Sequence, residues 1–535
     1  MSDALTTAQK VQEGLNDLDI TADVLVIGGS LSGIWSAIKA RELGAKVVLV
    51  EKGSTGSAGV IAAAGGGGGY IIPGDEEHRA GMLGERHKEA FGLDDQTFLE
   101  KVYHQSFRCF ERIQEWGYYS RRFGAFNIDT MAFLRRRLKK VGVQLLDHSP
   151  ALELLRDAEG NIAGAAGVQR QLEKTYRVKA GAVILATGGT AFFSGAAGTN
   201  GNAGDGYLMA AEAGATLIGM EFNSSYALAP ANSTLTKGGM YFQGHSFNEE
   251  GVRLDPEIPA WFSIPNVVDT LLRGGTPYFV LDKVPEDKWE GAYKQTPNFY
   301  HYFQRQDVNP FNTLWPVTVV MEGSVRGSGG LAINEDCSTN IPGLYAVGDV
   351  ADKSRLVGAF LAGAGPCIAW CVASGEWAGE SAAVFAKQFD GKAEREFTPL
   401  GQVGLRPRNA VNEEVNPREV IKQVQDEILP LGKNFYRREA VMQESVKVLD
   451  KVWEESRERL MGKDARSTLK AREAAFLAAT GRWIYRAALE RKESRGLHRH
   501  ADYPALNPNL SHHLRVSGLD EIRVEPTSVP QPLSV

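Results

Sequence analysis

Cysteine is scarce in this chain: four residues in 535, Cys109, Cys337, Cys367 and Cys371, with no C-x-x-C pair. That scarcity argues against a disulfide framework and a resident iron–sulfur cluster, so no metal ligands are expected. Cys367 and Cys371 are then expected as core thiols on one helix face. Long hydrophobic runs are missing too. The uncharged stretch from Gly358 to Gly375 is broken by small residues and Pro366, and the first twenty residues carry Asp3, Lys10, Glu13, Asp17 and Asp19. Neither a membrane span nor a targeting segment is expected, which points to a soluble cytoplasmic protein. The formal net charge of −6 argues against nucleic acid as a partner. What remains is 43% apolar, over a length that predicts two or three domains.

What is present begins with "VLVIGGSLSG", an apolar run from Val24 that breaks at Gly28, Gly29, Ser30, Leu31, Ser32 and Gly33. The segment "ADVLVIGG" reads as a strand, "SGIWSAIKARELG" as a helix closed by Gly44, and "AKVVLVEKG" as a second strand ending at Glu51, Lys52 and Gly53. A glycine turn in such a βαβ unit seats a phosphate on the helix N-terminus. Ser30 stands in the second glycine position, and it is small enough for backbone to approach a pyrophosphate. Glu51, placed 23 residues after Gly28, suits the hydroxyls of an adenosine ribose. The run "AAAGGGGGY" from Ala62 holds Ala63, Ala64, Gly65 and Gly66 and reads as backbone lying close to a flat ligand.

Helical segments rich in Phe, Tyr and Arg fill roughly 94 to 140, and the segment from Gly142 reads as strand, strand, turn and strand, with Ala151 inside it. Two later strands end in small or acidic turns. "AGAVILATGG" ends at Ala186, Thr187, Gly188 and Gly189, and "IPGLYAVGDVAD" ends at Gly348 and Asp349, before a helix from Gly358 whose start holds Ala359, Phe360 and Leu361. A nicotinamide enzyme needs only one such unit. Here Asp349 suits a ribityl chain and the following helix aims its positive end at a flavin pyrimidine, so the expected ligand is FAD. Between these strands, residues 222 to 318 are poor in buried-strand pattern and rich in Pro, Asn, Gly and aromatics, which marks an inserted domain. Residues 437 to 500 are helical and carry 16 Lys and Arg against 10 Asp and Glu.

These segments, with "NAGDGYLMAAEAGA" around Asp205 and "RKESRGLHRHADYP" near the C-terminus, resemble the flavoprotein subunits of fumarate reductase and succinate dehydrogenase. L-aspartate oxidase and the adenylylsulfate reductase flavoprotein belong to the same family. The resemblance runs from about residue 22 to 505. It implies an α/β fold: a discontinuous Rossmann-like FAD-binding domain (20–222 and 319–400), an inserted α+β capping domain (223–318), and a C-terminal helical domain with a tail (401–535). It also implies hydride transfer between flavin N5 and a small, anionic substrate, with electrons passing to or from a ferredoxin-like iron–sulfur protein. Alternatives are an adenylylsulfate-reductase-like subunit and an electron-transfer subunit without a substrate of its own.

The chain also departs from the family's pattern. Gly59 stands where family members attach FAD to a histidine, so noncovalent FAD is expected. The family's "QFHP"-like segment reads "MEFNSSYALAP", its "HYTMGG"-like segment reads "GSVRGSGGL", and Asn266 falls near the arginine general acid. These losses argue against fumarate reductase or succinate dehydrogenase activity. Arg355, in "RLVGAFL", matches a family arginine that binds a substrate carboxylate, and Arg326 is a second candidate anion binder. Tyr226 and His245 are candidate acid–base groups. Glu493, Ser494, Arg495 and His498 match the family's "ESRGAH" segment and are expected to brace the helical domain.

Overall fold

The computed structural model describes residues 5–120, 122–237, 241–254, 264–361, 363–389, 396–409 and 415–527. At its centre is the strand Leu18–Ile27, whose last four residues are all buried. An unbroken apolar run of this kind suits a parallel strand covered on both faces. It pairs in parallel with Val47–Val50 on one side and with Lys174–Leu185 on the other, and Gln144–Leu146 adds a further parallel strand beyond Val47–Val50. Lys174–Leu185 serves two neighbours along its second edge. Ile162–Gln169 pairs antiparallel with its first half, and Leu344–Ala346 pairs in parallel with Val183–Leu185. The short edge is completed by Ala151–Arg156 and Thr398–Pro399. Ile27, Val50, Leu185 and Ala346 therefore end side by side, and the crevice beyond such ends is where open α/β sheets hold ligands.

The helices Leu31–Glu42 and Ala364–Ala386 pack on this sheet and on each other. A Cβ built on Gly375 would lie 2.9 Å from the Ser32 carbonyl oxygen, and one on Gly379 2.6 Å from that of Ser36. Small residues four apart on each helix thus bring the two backbones into contact, which fixes the start of Ala364–Ala386 beside the first glycine turn.

The stretch expected as strand-poor contains a four-stranded antiparallel sheet, in the order Ser225–Pro230, Trp315–Gly323, Tyr278–Val280 and His245–Phe247. Two of its strands are three residues long, too short to display alternation, and its core is aromatic: Phe279, Phe299, Phe303 and Trp315 pack together. The C-terminal region is built on the helices Pro417–Ile428, Glu439–Arg459 and Ala465–Glu490. It is not wholly helical. His513–Ser517 and Arg523–Thr527 form a hairpin that joins Leu217–Ile218, a pairing across some three hundred residues that no local pattern announces. Among the described residues no helix is long and apolar enough to cross a membrane.

Candidate cofactor and substrate site

A cavity of about 1880 Å³ opens beyond the parallel strand ends and runs under the antiparallel sheet. Small-ligand sites usually measure roughly 300–1,000 Å³, so this one has room for a dinucleotide and a second molecule. Its floor is the first glycine turn. Gly28 has φ of +112° and an added Cβ would stand 2.3 Å from the Ala186 carbonyl oxygen, so only glycine lets the two strand ends meet. The helix Leu31–Glu42 begins there with Ser30 at its N-cap, no side-chain cap bond, and no acidic residue in its first turn. The helix Ala364–Ala386 starts in the same cavity at Gly363, likewise without a side-chain cap. Two helix N-termini with open N–H groups thus face one space.

The rest of the wall fits FAD. Glu51 accepts from the N–H groups of Gly29 and Gly53, both at 2.6 Å, which holds its carboxylate at the strand end. Lys52 Nζ lies 2.7 Å from Asp205 and 3.3 Å from Glu473. Burial disfavours its charge, yet the two carboxylates outweigh burial and hold Lys52 above the ordinary lysine range. Thr187 belongs to this wall, but its Oγ1 is buried without a hydrogen-bond partner among the described residues and packs against Gly206, where an added Cβ would lie 2.4 Å from it. Asp349 lines the wall and pairs with the buried Lys353 at 2.7 Å. Lys353 Nζ also approaches the carbonyl oxygens of Ser324 and Val325, at 3.4 and 3.3 Å.

Of the expected cofactor residues, Gly28, Ser30, Ser32, Glu51, Lys52, Gly53, Ala64, Gly65, Gly66, Ala151, Ala186, Thr187, Gly188, Asp205, Asp349 and Leu361 line the cavity. Gly29, Leu31, Gly33, Ala63, Gly189, Gly348, Ala359 and Phe360 are not part of its lining. Ala359, for one, is tied away by bonds to the Ala90 carbonyl and from the Leu497 N–H. Gly59 has φ of +80° and ψ of 174°, and an added Cβ would come 2.5 Å from Ser30 Oγ.

Under the antiparallel sheet the wall becomes cationic at one point. Glu322, fully buried at the end of Trp315–Gly323, accepts from Thr236 Oγ1, pairs with Lys237, and lies 2.5 Å from Arg326 Nε. Burial alone would raise the Glu322 carboxyl, but Arg326 and Lys237 hold it below the usual range. Burial pushes Lys237 below the ordinary lysine value. Thr236, Lys237 and Arg326 line the cavity, whereas Glu322 is not part of its lining. Sequence reasoning found Arg326 and missed Lys237, Glu322 and Lys353. The four-residue spacings Glu322/Arg326 and Asp349/Lys353 were legible signals; Lys237 lies too far along the chain from Glu322 to give one.

The other expected groups are placed differently. Arg355 is absent from the cavity lining: it pairs with Asp95 at 2.7 Å and lies 3.8 Å over the Phe98 ring. Tyr226 borders the cavity, but its hydroxyl approaches the carbonyl oxygens of Ile428 and Leu429, and burial pushes it well above the ordinary tyrosine value. His245 pairs with Asp282 across neighbouring chain segments and is not in the wall. Cys367 and Cys371 share a helix face as expected, and that face borders the cavity. Burial pushes Cys367 up to about 11 and Cys371 well above its usual value, so both are thiols at neutral pH.

Near the C-terminus, Arg491 bridges Glu221 and Glu493, both at 2.8 Å, and Arg495 pairs with Glu493 at 2.7 Å. His498 is held neutral by burial, which pushes it well below its usual value, and it lies 2.6 Å from Arg437. The basic excess of residues 437 to 500 is partly internal. Arg437, Arg472, Arg482, Arg491 and Arg495 are buried, against Glu473 and Glu493, which leaves eleven basic and eight acidic residues outside the core.

Three protein families match this chain. Residues 127–366 match the FAD binding domain, residues 22–218 the pyridine nucleotide-disulphide oxidoreductase family, and residues 427–529 the fumarate reductase flavoprotein C-terminal domain. The chain thus carries an FAD binding domain and a fumarate reductase flavoprotein C-terminal domain, and it is an FAD-dependent oxidoreductase. FAD is its cofactor. The flavoprotein is 25% identical over 560 residues to the fumarate reductase flavoprotein subunit of Haemophilus influenzae, covering 90% of each chain. It is 24% identical over 378 residues to the L-aspartate oxidase of Streptomyces coelicolor, covering 62% of this chain and 63% of that one. The match thus spans a little under two thirds of the oxidase. Its fold is that of an E. coli quinol fumarate reductase chain, with TM-score 0.80, 20% identity, and coverage of 97% and 98%. The Archaeoglobus fulgidus adenylylsulfate reductase also shares the fold, with TM-score 0.77, 19% identity and 96% of each chain covered.

Proposed function

We propose that this flavoprotein is an oxidoreductase that exchanges a hydride between its flavin and a small anionic organic substrate, with a separate electron carrier closing the cycle. The observation that carries the reading is the Lys237–Glu322–Arg326 group in the wall of the cofactor cavity. Two cations share one buried carboxylate there, so the group is net positive and stabilises an anion that enters. Bound FAD supplies the two-electron chemistry. The chain's own residues orient the reactants. Lys353 ties Asp349, on the cofactor side, to the Ser324 and Val325 carbonyls that lead into Arg326, so the anion would be held at a fixed offset from the flavin.

In this reading residues 20–222 and 319–400 carry the cofactor, residues 223–318 close over it, and residues 401–535 brace the closed arrangement. The flavin is held without a covalent bond, because Gly59 offers no nucleophile. Fumarate and succinate are not substrates, since the family's histidines are absent and Arg355 is paired with Asp95 away from the cavity wall. A ferredoxin-like iron–sulfur protein serves as electron carrier, in line with the fumarate reductase flavoprotein subunit among the relatives. The four cysteines, none of them in a disulfide, suit the reducing cytoplasm. The test is anaerobic mixing of oxidised and of pre-reduced holoenzyme with a panel of organic anions, following the bleaching or the return of flavin absorbance. Bleaching or reoxidation by one anion that is lost in Arg326→Gln supports the reading; response only to a ferredoxin, in both flavin states, assigns the chain to electron transfer.

A further inference from the structure

The charge and lining of the cap-side cavity narrow the substrate class, in a step that rests on the anion reading above. We infer that the substrate is a monoanion with an apolar body, an aryl or alkyl monocarboxylate, and not a dicarboxylate. The lining of this cavity includes the apolar residues Leu228, Tyr241, Ile264, Val325 and Leu361 alongside Thr236, Lys237 and Arg326. The Tyr241 hydroxyl approaches the Leu235 carbonyl oxygen, which leaves its ring as wall. Glu322 cancels one of the two cations, so the group balances a single negative charge.

A second carboxylate would need a second cation, and among the described residues the lining's other cations, Lys52, Arg122, Arg170, Lys294, Arg466 and Lys470, are each paired, hydrogen-bonded or exposed to solvent. Lys52 is held between Asp205 and Glu473, and Lys470 pairs with Glu473, all at the Glu51 end of the cavity. Lys294 pairs with Glu290 and, like Arg122, is exposed to solvent. Arg355 pairs with Asp95 outside the lining. A second charge would therefore be buried against carbon without a partner, which is strongly unfavourable. Arg326 is ion-paired with Glu322, and the planar fork of a guanidinium suits one carboxylate.

The experiment titrates holoenzyme with trans-cinnamate, acetate and succinate at neutral pH and follows the absorbance of bound flavin. Cinnamate should bind at least ten-fold more tightly than either of the others. Arg326→Gln should weaken cinnamate at least ten-fold, Arg326→Lys should restore part of that loss, and FAD content should stay constant in both. Succinate binding as tightly as cinnamate, with Arg326→Gln weakening both, overturns the monoanion class and leaves the anion reading standing. Absence of cinnamate binding at millimolar concentration also overturns the class. Unchanged affinity for all three anions in Arg326→Gln overturns the anion reading itself.

Discussion

Gly59→Ala should strip the flavoprotein of much of its FAD affinity, and the size of the loss follows from two separate terms. Gly59 sits at φ of +80° and ψ of 174°, a backbone region that is essentially reserved for glycine. Holding alanine there costs about 1–3 kcal/mol. The new Cβ would also lie 2.5 Å from Ser30 Oγ and 2.9 Å from Ser30 Cβ, and no other atom lies within 4 Å of it. Overpacking of that kind costs about 1–3 kcal/mol. Ser30 is the N-cap of the helix whose open N–H groups receive the pyrophosphate. If the bound state needs this turn undistorted, the combined 2–6 kcal/mol appears as a dissociation constant raised by roughly 30-fold to 20,000-fold. The two terms separate in a double mutant. Ser30→Gly removes both atoms in the overlap, and glycine at an N-cap loses only a few tenths of a kcal/mol. Ser30→Gly/Gly59→Ala should therefore bind FAD about five-fold to a hundred-fold more tightly than Gly59→Ala alone, a coupling between contacting residues. The assay is titration of apoprotein with FAD, following quenching of flavin fluorescence. Normal FAD affinity in Gly59→Ala, or no recovery in the double mutant, would refute the reasoning.

Three further outcomes are expected. Acid precipitation should leave the yellow colour in the supernatant; flavin retained on the denatured chain would show a covalent link at another residue. Arg355→Gln should lower stability by about 1–2 kcal/mol, since it loses a half-buried ion pair with an N-cap aspartate and a cation–π contact, while turnover stays constant. Collapse of turnover with an unchanged melt would return Arg355 to the substrate. His513 is pushed by burial down to about 4, so between pH 4 and 6.5 the unfolded chain binds more protons and stability falls on acidification, by about 3 kcal/mol at most. His513→Gln should flatten that slope in melts at pH 4.5 and pH 7; an unaltered slope would show that His513 is not its source.

The cofactor half of the site was legible because its signals are local. Strand, glycine turn, helix and acidic strand end follow one another within about thirty residues, and the backbone geometry at Gly28 leaves few alternatives to that reading. The substrate half was not, because its groups meet only in three dimensions. Lys237 and Glu322 are separated by 85 positions. Arg355 misled for the converse reason: its local segment resembles a family motif, but its partner Asp95 lies 260 positions away. Charge counting alone overstates the basic surface of residues 437 to 500, because five of the arginines balance carboxylates or carbonyl oxygens in the core. The C-terminal hairpin was missed on the same ground, since its strand partner precedes it by some three hundred residues.

The two departures at the glycine turn make better sense together than apart. Taken singly, Ser30 is a weakened fingerprint and Gly59 a missing attachment residue. In the structure they face each other across 2.5 Å, measured from the hydroxyl to the place where a side chain at 59 would begin. Ser30 and a side chain at position 59 would compete for one volume, and the φ of +80° at position 59 adds its own preference for glycine. The same logic extends to the cap side, where the turn that replaces a family histidine segment carries Arg326, and Glu322 gathers Lys237 and Thr236 around it. Lys353 joins the two regions through Asp349 and the Ser324 and Val325 carbonyls, so substitutions there should disturb flavin and anion together, whereas substitutions at Lys237 should act on the anion and spare the flavin.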